Sequence, residues 1–400
     1  MEKHNLFRGL FLINFLITLG FGISDAFFSL FVFSLGGRGL LLGLPLVLYS
    51  LSKILCSPFL GAWADRVGQR RIAVVSLGLY LFVSLCFCFT TSLALITLLR
   101  LLQGMACALF RPVLVSLVNS CVSNEKRATW LGTFDISFYG ALGLGPVAGG
   151  LLKDLWGFRG IFVTLVLLCA LALVVALLLI PASGTVGRRQ TGQFGKLMDM
   201  TRHGTLRGLL AFIFGRSCGI SLMGSFLPIM LSARMGLSGA RAGLVLAAGT
   251  VVMTLLLRPA GMLSDRMPRK LLVVVGGVGV SLLYVLLPIA NGFYPALLLG
   301  VGIGLFSVLS QPASTTLLAE EGNKHGMGLT VGTFNAVLNL GFVVGPLLGA
   351  GLHAGFGLNV VFYVAGLIGL MTVGLFVFSA LPEARVGLCQ RHYRLTENYR

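Results

Sequence analysis

Between residues 7 and 381 the chain alternates long apolar runs with short polar breaks. Each run is about 20 residues or longer, the length that crosses a bilayer core as a helix. They predict twelve spans, at 7–33, 40–61, 72–91, 94–117, 129–152, 159–180, 206–232, 240–260, 271–290, 294–318, 327–352 and 357–381. The first run exceeds 20 residues and lacks a small-residue cleavage site, so it reads as a span and not a removable signal. One break is much longer than the rest: 181–205, PASGTVGRRQTGQFGKLMDMTRHGT, is polar, basic and glycine-containing, the character of a linker. The pattern therefore predicts an all-α membrane protein with a six-helix bundle at 1–180, a linker at 181–205, a second six-helix bundle at 206–381 and a tail at 382–400.

The two halves echo each other at an offset of 200 residues. GTFDISFYGALGLGPVAGGLL (132–152) aligns with GTFNAVLNLGFVVGPLLGAGL (332–352), and seven of the 21 positions are identical. Gly261, Asp265 and Arg266 repeat Gly61, Asp65 and Arg66. Six spans per half is an even number, so both repeats enter the membrane in the same direction. Parallel repeats of this kind build two-bundle transporters, with pseudo-symmetric halves that rock against each other.

Composition agrees. Hydrophobic residues make up 56% of the chain, charged residues 10%, and the mean hydropathy is +0.96, which excludes disorder and argues against a water-soluble globule. The 54 glycines suit helices whose backbones pack closely in lipid. A net charge of +18 raises the question of nucleic acid, but its distribution answers it. With the N-terminus inside, 20 of the 30 lysines and arginines fall in cytoplasmic segments and five outside. That is the positive-inside pattern, with both termini cytoplasmic and no nucleic-acid partner expected. No outward loop holds a cysteine pair, so a disulfide framework is not expected. Cys86 and Cys88 read as packing residues, with no metal site. GVGIGLF (300–306) lies inside a span with no preceding strand, so it is no nucleotide loop, and no cofactor is expected.

The motifs bring a family into view. Gly61, Asp65, Arg66, Gly68, Arg70 and Arg71 in GAWADRVGQRR resemble the loop motif between helices 2 and 3 of major facilitator superfamily transporters. Gly261, Asp265, Arg266, Arg269 and Lys270 in GMLSDRMPRK resemble its degenerate copy, in which Pro268 replaces the second glycine. Arg100, Gln103 and Gly104 resemble the family's RxxQG element, and Gly140, Gly145, Pro146, Gly149 and Gly150 its GxxxxGPxxGG motif, associated with proton-exchanging drug exporters. The resemblance implies that the paired loops latch the two bundles on the cytoplasmic side while the transporter faces outward. It also implies that helices 1, 4, 7 and 10 surround a central cavity. From the residues themselves, Gly61 and Gly68 are expected to allow a tight turn. Gly145–Pro146 and Gly345–Pro346 are expected to bend helices 5 and 11 at the bundle interface.

Charges inside spans are costly, so each needs a reason. Counting ~1.5 Å per residue puts Asp25 and Arg100 at similar depth. They form either a cavity ion pair, with Arg100 tuning Asp25 as proton carrier, or a static tie between helices. Arg111 returns to nearly the same helix face eleven residues after Arg100, and Arg216 sits mid-span. Lys53 and Arg258, nearer span ends, read as snorkelling. Asp135 and Tyr139 match Asn335 and Asn339 in the repeat, and line the cavity or bond between helices. The leading reading is a monomeric, proton-coupled exporter of small amphipathic molecules in a bacterial inner membrane, in contact with lipid and driven by the proton gradient. The alternatives are a carrier of organic anions using Arg100, Arg111 and Arg216, by symport or exchange, and a non-transporting membrane receptor. No catalytic constellation points to an enzyme.

Overall fold

The computed structural model describes the backbone of residues 2–121, 127–180 and 204–397, and the side chains of all of these except 2–4, 57–66, 119–121, 127–129, 131–132, 324–325, 327–329 and 380–397. Most of the linker expected at 181–205 thus lies outside the described residues, as do the side chains of Gly61, Asp65 and Arg66. In the first half, α1 (Glu2–Ser34), α2 (Leu40–Val67), α3 (Gln69–Phe89) and α4 (Leu93–Cys121) come first. A run from Arg127 to Leu179 follows, broken at Gly157, whose φ of 66° is non-helical. Its limbs are α5 (127–156) and α6 (158–179). In the second half, α7 (Gly204–Ile229) continues through a π-helical turn, Met230–Arg234. Then come α8 (Gly239–Arg266), α9 (Arg269–Leu286), α10 (Phe293–His325), α11 (Met327–Phe356) and α12 (Leu358–Glu397).

These are the twelve predicted spans, with longer helices and shorter breaks. Ten stretches among the described residues are long and apolar enough to cross a membrane; one, Thr133–Leu179, holds both α5 and α6, and the apolar part of α2, Leu40–Cys56, is shorter. The break expected at 153–158 reduces to the single residue Gly157. Its repeat mate Gly357, with φ of 85°, makes the same turn between α11 and α12. Side chains rarely adopt such angles, so glycine allows a reversal with almost no loop. The expected turn at Gly61 is corrected. Gly61 lies within α2, and Gly68 alone turns the chain, with φ of 97°. In the second copy the turn falls on Met267 and Pro268, which has an ordinary φ of −58°.

We call the side where α1 starts the near face and the side where it ends the far face. The hydrophobic core is continuous at one and divided at the other. In the far half a single cluster joins the bundles: Ile23, Phe27 and Phe31 of α1 pack in it with Leu222, Phe226 and Met230 of the second bundle. In the near half the core splits. One cluster holds only first-bundle residues, such as Leu10, Ile72, Leu117 and Leu165, while the main second-bundle cluster holds Leu209, Phe212, Leu317 and Phe376. Two bundles joined at one end and separate at the other enclose a cleft that opens towards the near face.

Candidate functional site

The deepest charge in the cleft wall belongs to α4. Arg100 is 1% exposed and uses one nitrogen, Nη1, for two bonds: 2.7 Å to Asp25 Oδ1 on α1 and 2.8 Å to Gln103 Oε1 one turn along α4. Its guanidinium carbon lies 3.3 Å from the centre of the Phe28 ring, with Phe87 and Tyr49 at about 6 Å. An aromatic face attracts a cation, and more strongly away from water. Gly104 completes the arrangement: a Cβ there would run into the Tyr49 carbonyl and the Ser52 hydroxyl of α2. RxxQG thus has a mechanical meaning here. Arginine supplies the charge, glutamine orients it, and glycine lets α2 lie against the helix that carries both. Asp25 differs from its partner. Its side chain is 41% exposed, so the carboxylate is reachable while the guanidinium is sealed.

Arg111, on nearly the same face of α4, has the opposite environment. It is exposed, sits 4.4 Å from the Phe138 ring centre on α5, and lies within electrostatic range of Asp135 and Tyr139. Tyr139 also lies within range of Arg216 across the cleft, so Arg111, Asp135, Tyr139 and Arg216 gather from both bundles. Asn335 is exposed on α11, and Asn339 donates back to the Asn335 carbonyl at 2.7 Å.

The far-face closure is built from the repeated Gly–Pro segments. A Cβ on Gly243 of α8 would overlap the Pro146 carbonyl of α5, and one on Gly43 of α2 would overlap the Pro346 carbonyl of α11. These two contacts are repeat mates. Helical geometry continues through Pro146, Gly157 being the one non-helical residue in that run. Close backbone packing surrounds this segment, with Gly145 likewise against Gly22 of α1. On one flank a charge is added. Asp154 at the far end of α5 accepts the first backbone N–H groups of α8, from Gly239 at 2.6 Å and Ala240 at 2.8 Å. A carboxylate at a helix N-terminus meets both unsatisfied donors and the positive end of the helix dipole. The sequence raised no expectation for Asp154, although it stands four residues beyond Gly150.

At the near face the charged motifs bond within their own bundles. Gln69 donates to Ser116 of α4 at 2.7 Å, and Arg70 to the Leu177 carbonyl of α6 at 2.9 Å. Arg269 pairs with Glu320 of α10 and lies 3.9 Å from Asp265, while Lys270 reaches Thr205 of α7. None of these described contacts crosses between the bundles.

The sequence model of the Major Facilitator Superfamily matches residues 10–256 and 209–388, together nearly the whole chain. The chain belongs to the Major Facilitator Superfamily. It is an integral membrane transporter with the twelve-helix fold of that family. Multidrug resistance protein MdtG of Klebsiella pneumoniae is 27% identical over 405 residues, covering 94% of each chain. Multidrug resistance protein 2 of Bacillus subtilis is 22% identical over 383 residues, covering 94% of this chain and 95% of the relative. Among solved structures, a bacterial homologue of the human lysosomal transporter Spinster, inward-facing and occupied, superposes with a TM-score of 0.77. It is 15% identical and covers 95% of this transporter and 97% of that chain.

Proposed function

We propose that the transporter exports small amphipathic compounds from a bacterial cell in exchange for protons, as a monomer in the inner membrane with its near face to the cytoplasm. The Asp25–Arg100 pair carries the reading. A charged carboxylate is favoured where water reaches it, as in the present near-open cleft, and disfavoured when the bundles close over it. Closure is eased when substrate occupies the cleft or a proton neutralises Asp25. The alternation of those two loads gives exchange, with substrate carried outward and a proton inward. Arg100, buried and held by Asp25 and Gln103, pairs with the charged carboxylate, so protonation at Asp25 leaves a guanidinium without its counter-ion. The multidrug resistance relatives support a drug-like cargo, and the basic excess on the near face supports the orientation. The chemistry is translocation, with no bond made or broken in the cargo.

The test is transport in proteoliposomes. An imposed pH gradient is expected to drive accumulation of a lipophilic dye, and Asp25→Asn to abolish that accumulation while dye counterflow persists. Gradient-driven accumulation by Asp25→Asn equal to that of the native chain would remove Asp25 from proton coupling.

A further inference from the structure

Inside the second bundle, between α7, α9, α10 and α12, lies a cavity of about 30 Å³ lined by Arg216, Ser281, Tyr284, Ser310 and Thr372. A water needs about 10–15 Å³, so the space takes two water-sized groups. Three of its hydroxyls are already committed as donors. Ser281 donates to the Gly277 carbonyl at 2.7 Å, Ser310 to Ser307 at 3.1 Å, and Thr372 to Gly369 at 3.0 Å. The donors left among the lining side chains are the Arg216 guanidinium, the Tyr284 phenol and the Ser307 hydroxyl, and none of them makes a hydrogen bond among the described residues. Arg216 is mid-membrane and has no ion pair there, whereas Arg100 has Asp25 and Arg269 has Glu320. A guanidinium at this depth without a counter-ion is costly, and a cavity beside it is where one fits. Ile220, one turn further along α7, also lines the cavity and is 44% exposed; Tyr139 of the opposite bundle is within electrostatic range of Arg216. The cavity therefore lies beside the cleft.

We propose that Arg216 and Tyr284 form a subsite for a compact anionic, hydrogen-bond-accepting group at one end of the transported molecule, of which a carboxylate is the natural case. The inference rests on the export reading and narrows its substrate class to amphipathic compounds with such an end. Arg216 presents several N–H groups in a plane, the geometry that meets two oxygens of one group, and Tyr284 adds a neutral donor. The apolar body of the substrate remains in the wider cleft, where Asp25 and Asp135 stand.

Two dyes that differ in this group alone provide the test. Rhodamine 110 carries a free carboxylic acid, and rhodamine 123 is its methyl ester. Fluorescence anisotropy with the purified full chain is expected to show rhodamine 110 binding about tenfold tighter, the scale of one charge-assisted hydrogen bond. Arg216→Gln is expected to bring the ratio near one while rhodamine 123 affinity is kept, and Arg216→Lys to restore part of it. If Arg216→Gln does not fold, Tyr284→Phe is expected to lower the ratio about threefold. Equal binding of the two dyes by the native chain, or a ratio that survives these substitutions, overturns the subsite. Discrimination in binding together with indifference of transport to a pH gradient overturns proton-coupled export and upholds the subsite.

Discussion

The far-face closure has two flanks related by the internal duplication, and they are not equal. On one, α5 meets α8; on the other, α11 meets α2. Both use a glycine against a proline carbonyl, Gly243 with Pro146 and Gly43 with Pro346. Beyond that shared pair they diverge. The α5–α8 flank has Gly150 against the Gly239 carbonyl and Asp154 on the start of α8, while the repeat positions on the other flank are Ala350 and Ala354, packed near Gly43 and Gly39. The two halves thus share a symmetric backbone fit, while a polar latch stands on the α5–α8 side. Small-residue packing tolerates a rocking motion, because it is short-ranged and without strong direction. A carboxylate on two N–H groups holds one register until both bonds break.

Substitution can break this comparison in descending order of effect. Gly243→Leu forces a side chain onto the Pro146 carbonyl, and overpacking of this kind costs about 1–3 kcal/mol. The far-closed form should lose population roughly five- to 150-fold, read as a shift in spin-label distance between Val75 on α3 and Leu271 on α9. Gly43→Leu should act comparably, because the shared pair is symmetric; a much smaller shift there would show that the α5–α8 flank alone holds the closure. Asp154→Ala removes the latch and leaves the packing. A lost helix cap costs about 0.5–2 kcal/mol, so the same distances should shift by roughly two- to 30-fold in population. Ala354→Asp added to Asp154→Ala puts a carboxylate at the repeat-equivalent place beside the start of α2 and should recover part of the shift. No recovery would confine the latch to the α5–α8 flank. Asp265→Ala is expected to do least in this state. Its side chain is 76% exposed and 3.9 Å from Arg269, the setting in which ion pairs contribute at most about 1 kcal/mol. Thermal melting of the near-open form should stay unchanged, and a clear loss would show that the motif already binds the bundles together here.

The near face shows where legibility in the sequence ended. The charged motifs and their repeat spacing were plain in the chain, and so was the similar depth of Asp25 and Arg100. The partners of Arg70 and Arg269 were not, because Leu177 and Glu320 are brought to them by helix packing. Arg100, Arg111 and Arg216 looked alike as mid-span cations. The structure gives one a carboxylate, one an aromatic ring and one a cavity, a distinction set by neighbouring helices and invisible to periodicity.

Hydrophobic length, the even count of spans and the 200-residue echo determined twelve helices in two parallel bundles from the sequence alone. They did so because a bilayer requires each backbone polar group to be satisfied within its own helix, which makes a span a local property of the chain. Which end of the cleft is closed, what surrounds Arg216 and what Asp154 touches were decided by tertiary structure. Those features depend on how the helices and the two bundles meet, and residues distant in the chain become partners only once they do.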